Sequence, residues 1–147
     1  MRLAGHPLHP MLVHFPIALW TAGIALDVGG LATGSDWVWP VSFGSYAAGV
    51  ASAVLTMLAG FLDFAAIAQS DPAREKAVFH MLAMSTAWLL FLVSLALRGF
   101  SLVAAPSVWA IAMAFVAFLV MVFGGWLGGQ LVYRFGVAVA KYPDAAH

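Results

Sequence analysis

The sequence predicts an all-α integral membrane protein, a four-helix bundle of up-down-up-down topology with both termini in the cytoplasm. Three observations lead to this prediction. Of the 147 residues, 64% are hydrophobic and only 8% are charged, whereas soluble domains carry about 25% charged residues. The apolar residues form four stretches, each long enough to cross a hydrocarbon core about 30 Å thick. Basic residues lie mostly on one side of these stretches, which is the side expected to face the cytoplasm.

The four expected spans cover residues 10–32, 40–68, 77–98 and 106–133, and they form a single transmembrane domain over residues 1–147. The connections between them are short, so neighbouring helices must run antiparallel. Asp71-Pro72, in the second connection, is typical of a turn that leads into a helix. Too few residues lie between the spans for a separate soluble domain.

The distribution of Lys and Arg predicts the orientation. One side of the expected membrane carries Arg2, Arg74, Lys76, Arg134 and Lys141, and the other side carries only Arg98. The positive-inside rule therefore places both termini in the cytoplasm, in a bacterial inner membrane. Six basic and six acidic residues cancel, so the chain offers no basic surface for nucleic acid. It has no Cys, which excludes disulfides and thiolate ligands.

Polar side chains inside a membrane are costly, and each is therefore a candidate functional group. All four expected helices bring such side chains to one shallow layer beneath the cytoplasmic surface, namely His14, Asp63, His80, Gln130, Tyr133 and Arg134. His6 and His9 come just before the first span and can fold over that layer. The sequence therefore predicts that any site lies at this end of the bundle.

Three prolines shape the start of the chain, which reads His6-Pro-Leu-His9-Pro-Met-Leu-Val-His14-Phe-Pro16. Proline restricts the backbone, so we expect extended or turn conformations at the first two histidines. Pro16 has no amide proton and leaves the carbonyl of Leu12 without its helical partner. We expect the first helix either to kink or to start at this point.

This opening resembles the signature of a bacterial family of predicted four-helix integral membrane proteins, catalogued as a domain of unknown function. That family begins with His-Pro-x-His-Pro-x-x-x-His-Phe-Pro. The resemblance covers nearly the whole chain and continues through Asp27, Thr56-x-x-x-Gly60-x-x-Asp63, His80 and the Gly-Gly-x-Leu-Val-Tyr-x-x-Gly-Val pattern of residues 128–137. Some relatives are joined to Rieske-type iron–sulfur domains. The resemblance thus implies an association with electron transfer and supplies no activity.

Our first hypothesis is a b-type cytochrome that binds one haem b between the first and third helices. Haem iron takes axial ligands from facing elements of a bundle, and His14 and His80 lie at matching depth. The haem propionates would meet the cytoplasmic rim, at Tyr133, Arg134, Arg74 and Lys76. The protein would pass single electrons to or from a redox protein or quinone, as an oxidoreductase component rather than an enzyme by itself.

Two other hypotheses stay open. One is a site for a transition metal ion or for protons, built from His6, His9, His14, Asp63 and His80, since imidazole and carboxylate suit several transition metals. The other is a non-catalytic accessory or scaffold subunit, which forms a homo-oligomer or joins a larger membrane complex. For that subunit we expect close helix packing at Gly124, Gly125, Gly128 and Gly129.

Asp27 and Arg98 lie near the opposite surface of the expected membrane. A buried charge is costly unless an opposite charge pairs with it. We therefore expect these two residues to form a structural ion pair, or to lie at the interface as exposed charges, rather than to act as a proton relay.

Overall fold

The computed structural model describes residues 2–3, 6–99 and 105–139. In chain order its elements are the strands β1 (Arg2–Leu3) and β2 (His6–Pro7), then the helices α1 (Leu8–Leu12), α2 (His14–Thr33), α3 (Val38–Ala65), α4 (Ala73–Leu97) and α5 (Val108–Tyr133). The two short strands pair antiparallel, with Leu3 opposite His6. Apart from these strands, the regular elements among the described residues are helices.

Four segments are long and apolar enough to cross a membrane: residues 8–33, which comprise α1 and α2, and the helices α3, α4 and α5. Their mean hydropathy lies between 1.6 and 2.4. Large apolar side chains such as Leu31, Leu55 and Phe123 are exposed along their outer faces, which suits contact with lipid. The predicted all-α, four-span fold class is confirmed.

The helices pack as two hairpins, α2 against α3 and α4 against α5. The hairpins meet where α3 contacts α4 and where α2 contacts α5. In this arrangement α3 and α5 occupy opposite corners of the bundle. The short helix α1 precedes α2 and packs against α3, so residues before the first long helix also belong to the bundle.

The junction between α1 and α2 follows from Pro16. Its missing amide leaves the carbonyl of Leu12 outside the helical ladder, and that carbonyl accepts the Thr56 hydroxyl at 3.3 Å. The backbone bridges the junction by hydrogen bonds from the Val13 amide to the His9 carbonyl at 3.1 Å and from the Ile17 amide to the Val13 carbonyl at 3.4 Å. The first span therefore continues across the break, and α2 begins at His14.

Helix α4 begins at Ala73, within the segment that the sequence suggested as a polar turn. Asp71 explains the early start, since its Oδ1 accepts the amide of Ala73 at 2.8 Å and its backbone carbonyl accepts the amide of Arg74 at 2.9 Å. At the end of α2, Gly34 takes a left-handed conformation with φ of 66°, which glycine adopts without strain.

An aromatic and alanine-rich layer fills the middle of the bundle. Trp20 of α2 stacks on Phe91 of α4 with ring centres 4.4 Å apart, and the ring of Tyr46 of α3 lies 5.7 Å from that of Phe91. Fully buried alanines, among them Ala87 and Ala114, allow α4 and α5 to pack closely. This layer separates two polar regions, one at each end of the bundle.

Candidate functional site

His9 lies in α1, and its ring is fixed against α3. Its Nδ1 donates to the backbone carbonyl of Thr56 at 2.9 Å. Because a carbonyl can only accept, Nδ1 carries the proton, and in the neutral ring Nε2 keeps a lone pair. A Cβ at Gly60 would lie 2.9 Å from Cε1 of the ring, so only glycine at this position leaves room for the imidazole.

His80 lies in α4 and is held in the same way against α5. Its Nδ1 donates to the backbone carbonyl of Gly124 at 2.8 Å, which again leaves a lone pair on Nε2. A Cβ at Gly128 would lie 3.0 Å from Cε1 of the ring. His9 of α1 therefore binds a carbonyl of α3, and His80 of α4 binds a carbonyl of α5. In both cases a glycine follows that carbonyl by one helical turn.

The two imidazoles, which we call the histidine pair (His9 and His80), face each other across the gap between the hairpins. Their ring centres are 6.4 Å apart and their planes lie at 83°. A metal–nitrogen bond is about 2.0–2.1 Å long and the ring centre lies about 1 Å beyond the nitrogen, so two imidazoles on opposite sides of one metal ion have centres about 6 Å apart. The observed separation matches that requirement.

A cavity of about 830 Å³, lined by both members of the histidine pair, extends between the two hairpins. Its size is that of a small-molecule or cofactor pocket, and its lining is mostly apolar. Gly125 and Gly129 form part of its wall on α5, and among the described residues nothing lies within 4 Å of a Cβ built on either. The wall is thus flat and open where α5 passes the histidine pair.

His14 lies at the edge of the same cavity, but its side chain is exposed. Its Nδ1 is 3.4 Å from the carbonyl of Met11. Five residues along a helix correspond to a rotation of about 140°, so His9 and His14 cannot both face the bundle axis. The structure brings His9, rather than the expected His14, opposite His80.

The four residues expected at the haem propionates do not all line the cavity. Tyr133 forms part of its wall and is 93% exposed, and Arg134 is also exposed. Arg74 donates from Nη1 to the carbonyl of Ile67 at 2.7 Å. Among the described residues that form the wall, Arg74, Lys76 and Arg134 are absent, so the cationic side chains lie outside the cavity.

The second hypothesis gathers more groups than the structure brings into one cluster. Asp63 is half-buried and lines the cavity together with His9, His14 and His80, whereas the side chain of His6 lies outside the described residues. Within the described ranges, no three His, Cys, Asp or Glu side chains are placed to hold one metal ion together.

The four glycines of α5 do not share one role. Gly124 and Gly128 face α4, where a Cβ on Gly124 would lie 2.6 Å from Sδ of Met84. Gly125 and Gly129 face open space instead. The sequence suggested packing for all four, because the overlapping spacings alone cannot tell which pair faces a neighbouring helix.

At the opposite end of the bundle, Asp27, Ser42, Tyr46 and Arg98 form what we call the Asp27 cluster. Arg98 pairs with Asp27 through both terminal nitrogens, with Nη1 at 3.0 Å from Oδ1 and Nη2 bonded to Oδ2. Ser42 donates to Oδ1 at 2.5 Å and Tyr46 donates to Oδ2 at 3.0 Å. Asp27 is only 1% exposed, so the expected ion pair is present and buried.

The fold and the histidine pair together define a class, the four-helix membrane protein with an intramembrane cavity between two hairpins. Its outer surface lies in a lipid bilayer. Comparison of the sequence with protein families identifies the family: residues 5–141 match the family described as "Predicted membrane protein (DUF2231)", and the chain belongs to it. The chain matches no curated protein and no solved structure.

Proposed function

We propose that the protein binds one haem b between His9 and His80 and carries single electrons in the bacterial cytoplasmic membrane, with both termini inside. The proposal keeps the cofactor expected from the sequence and replaces one of its two ligands. The observation that carries it is the histidine pair, with ring centres 6.4 Å apart. We expect the protein to act as a component of an oxidoreductase, with a redox protein or quinone as its partner.

The hydrogen bonds of the histidine pair support a role as metal ligands. Histidines that bind metals almost always donate their other ring N–H to a carbonyl, carboxylate or water, which fixes the ring and its tautomer. Both His9 and His80 donate from Nδ1 to a backbone carbonyl, and each keeps Nε2 as the ligand atom. Because the two carbonyls belong to α3 and α5, at opposite corners of the bundle, we expect the free nitrogens to point inward from opposite sides.

The cavity supports a flat cofactor rather than a bare ion. A single ion held by two imidazoles needs no additional volume, whereas the cavity here measures about 830 Å³. The open wall at Gly125 and Gly129 leaves space beside the histidine pair. The lining of the cavity is mostly apolar, which suits the hydrophobic face of a macrocycle.

The cofactor, when bound, supplies reversible one-electron transfer, and the protein's residues set the conditions for it. His9 and His80 are neutral ligands whose rings cannot turn without breaking a hydrogen bond to the backbone. Tyr133, at the cavity wall, and the nearby Arg134, Arg74 and Lys76 provide polar groups toward the surface. We expect them to attract the propionates to that end of the cavity.

A transition metal ion is the second candidate, and one observation favours it. Three methionines line the cavity with the histidine pair: Met57, Met81 and Met84. Thioether and imidazole ligands together select Cu(I). A protein that uses the site in this way would handle a metal or protons, and Asp63 in the cavity wall would take part.

Purification in mild detergent from haem-replete cells tests the proposal. We expect a Soret band and, after reduction with dithionite, a sharpened α-band, with about one haem per chain by pyridine haemochrome assay. A colourless protein with about one equivalent of copper would support the metal ion instead. A colourless protein without metal would contradict both and favour an accessory subunit, identified by its co-purifying partners or its self-association.

A further inference from the structure

The two members of the histidine pair differ in how firmly the backbone holds them. His80 lies within α4, with regular helical turns on both sides (Ala73–Leu97). His9 lies in α1, which has five residues and ends at a break before α2. A helix as short as α1 is unstable by itself, so contacts with the rest of the bundle must fix the position of His9.

Thr56 of α3 provides two such contacts. Its backbone carbonyl accepts Nδ1 of His9 at 2.9 Å, and its hydroxyl lies 3.3 Å from the carbonyl of Leu12, at the end of α1. The hydroxyl also lies 3.1 Å from the carbonyl of Ser52. The Ser52 carbonyl belongs to the helical ladder of α3, whereas Pro16 deprives the Leu12 carbonyl of its helical donor. The hydroxyl therefore supplies a hydrogen bond that the backbone cannot.

We propose that Thr56 is the positioning residue for His9, which it holds through its carbonyl to the ring and through its hydroxyl to the end of α1. This inference rests on the proposed haem site. The residue is buried, so water does not readily replace the hydroxyl as the donor to Leu12. In the other hairpin, the carbonyl of Gly124 binds His80, but Gly124 has no side chain that could also fix the helix carrying the histidine. The continuous helix α4 needs no such support.

Substitution at Thr56 tests the inference. Thr56→Val removes the hydroxyl at nearly constant volume, and Thr56→Ser keeps it. We expect Thr56→Val to weaken haem binding about tenfold, the lower end of what losing the outer support of a metal ligand costs, and to shift the low-spin electron paramagnetic resonance (EPR) signal as the His9 ring turns. Thr56→Ser should restore both. Ser52→Ala removes a hydroxyl that bonds to Gly49 within α3, and should leave both unchanged.

A measurement without cofactor separates this inference from the proposed function. The natural chain has no Cys, so spin labels can be attached through Met11→Cys in α1 and Leu58→Cys in α3, both on exposed side chains. We expect a narrow distance distribution in the unsubstituted background and with Thr56→Ser, and a broad one with Thr56→Val. A wild-type protein without haem would refute the proposed function, and the label distances would then decide the role of Thr56 alone.

The inference is overturned if Thr56→Val keeps the wild-type haem affinity, EPR signal and label distances. It is also overturned if Ser52→Ala changes the haem affinity, the EPR signal and the label distances as much as Thr56→Val does. The effect would then not be specific to the hydroxyl of Thr56.

Discussion

The two ends of the bundle handle buried polar groups in opposite ways. In the Asp27 cluster, both carboxylate oxygens accept two hydrogen bonds each, from Arg98, Ser42 and Tyr46. At the other end, His9 and His80 each bond one nitrogen to the backbone, and both residues line a cavity. In the first arrangement the carboxylate has all its partners within the protein, although Nε of Arg98 has no hydrogen-bond partner among the described residues. In the second, we propose that the remaining nitrogens bind a ligand.

This difference separates a structural role from a functional one. The Asp27 cluster joins α2, α3 and the end of α4, and so ties the two hairpins together beyond the aromatic layer. The histidine pair lies where the hairpins leave space between them. Intramembrane ionisable residues are candidate functional sites by default. Because the Asp27 carboxylate is fully bonded within the protein, our proposal assigns a function to the end with the histidine pair.

The largest expected effect on stability comes from breaking the Asp27 cluster. Asp27→Leu leaves the guanidinium of Arg98 buried without its carboxylate, which costs about 3–5 kcal/mol in comparable buried pairs. We expect a large fall in the unfolding temperature, measured by tryptophan fluorescence in detergent. The double variant Asp27→Leu with Arg98→Leu is the control and should regain much of the loss. Equal losses in both variants would contradict the assignment of a buried ion pair.

The glycines beside the histidine pair offer a second comparison. Gly60→Ala and Gly128→Ala each add a Cβ within about 3 Å of an imidazole, and we expect each to displace its ring and lower haem occupancy about tenfold. Gly44→Ala is the matched control in α3, because among the described residues nothing lies within 4 Å of a Cβ there. That variant should bind haem normally, and similar losses in all three would contradict the prediction.

The angle between the imidazoles predicts a spectroscopic signature. Planes at 83° make the two ligands interact with different d orbitals of the iron, which leaves those orbitals close in energy. We expect the ferric protein to give a low-spin EPR signal dominated by one large g value. A three-line rhombic signal, typical of parallel planes, would show that His9 and His80 do not keep this arrangement around the iron.

The smallest effect is expected outside the cavity, at Arg74. Its hydrogen bond to Ile67 and its contact with the Phe64 ring, 4.5 Å away, are each worth about 1 kcal/mol. Arg74→Ala should lower the unfolding temperature slightly and leave the haem spectrum intact, because Tyr133, Arg134 and Lys76 remain for the propionates. Loss of the spectrum would instead mean that this guanidinium is needed to hold the propionates.

Hydropathy and charge were enough to predict the four spans and the polar layer, because a bilayer imposes a length and a composition on each helix. Pro16 correctly indicated that the carbonyl of Leu12 loses its helical donor. The sequence could not predict that the Thr56 hydroxyl takes the place of this donor, since Leu12 and Thr56 meet only through the packing of α1 on α3. The prolines beside His9 also suggested an extended segment, although α1 begins at Leu8.

The glycine signals were present in the sequence but could be interpreted in two ways. Gly60 and Gly128 each follow by one turn the residue whose carbonyl binds a histidine. A spacing of this kind is also typical of plain helix packing, and without the depth and rotation of His9 it indicates no partner. The ion pair of the Asp27 cluster was easier to predict, because Arg98 was the only basic residue expected near that surface and Asp27 was the acidic residue expected inside a span there.

The central claim, that His9 and His80 are the axial ligands, is tested most directly by comparing His9→Ala with His14→Ala. Absorption spectra of the purified variants should show loss of the low-spin haem signal in His9→Ala and its recovery when free imidazole is added to fill the vacated position. His14→Ala should keep the wild-type spectrum. The opposite result, with loss in His14→Ala and an unchanged His9→Ala, would contradict this account.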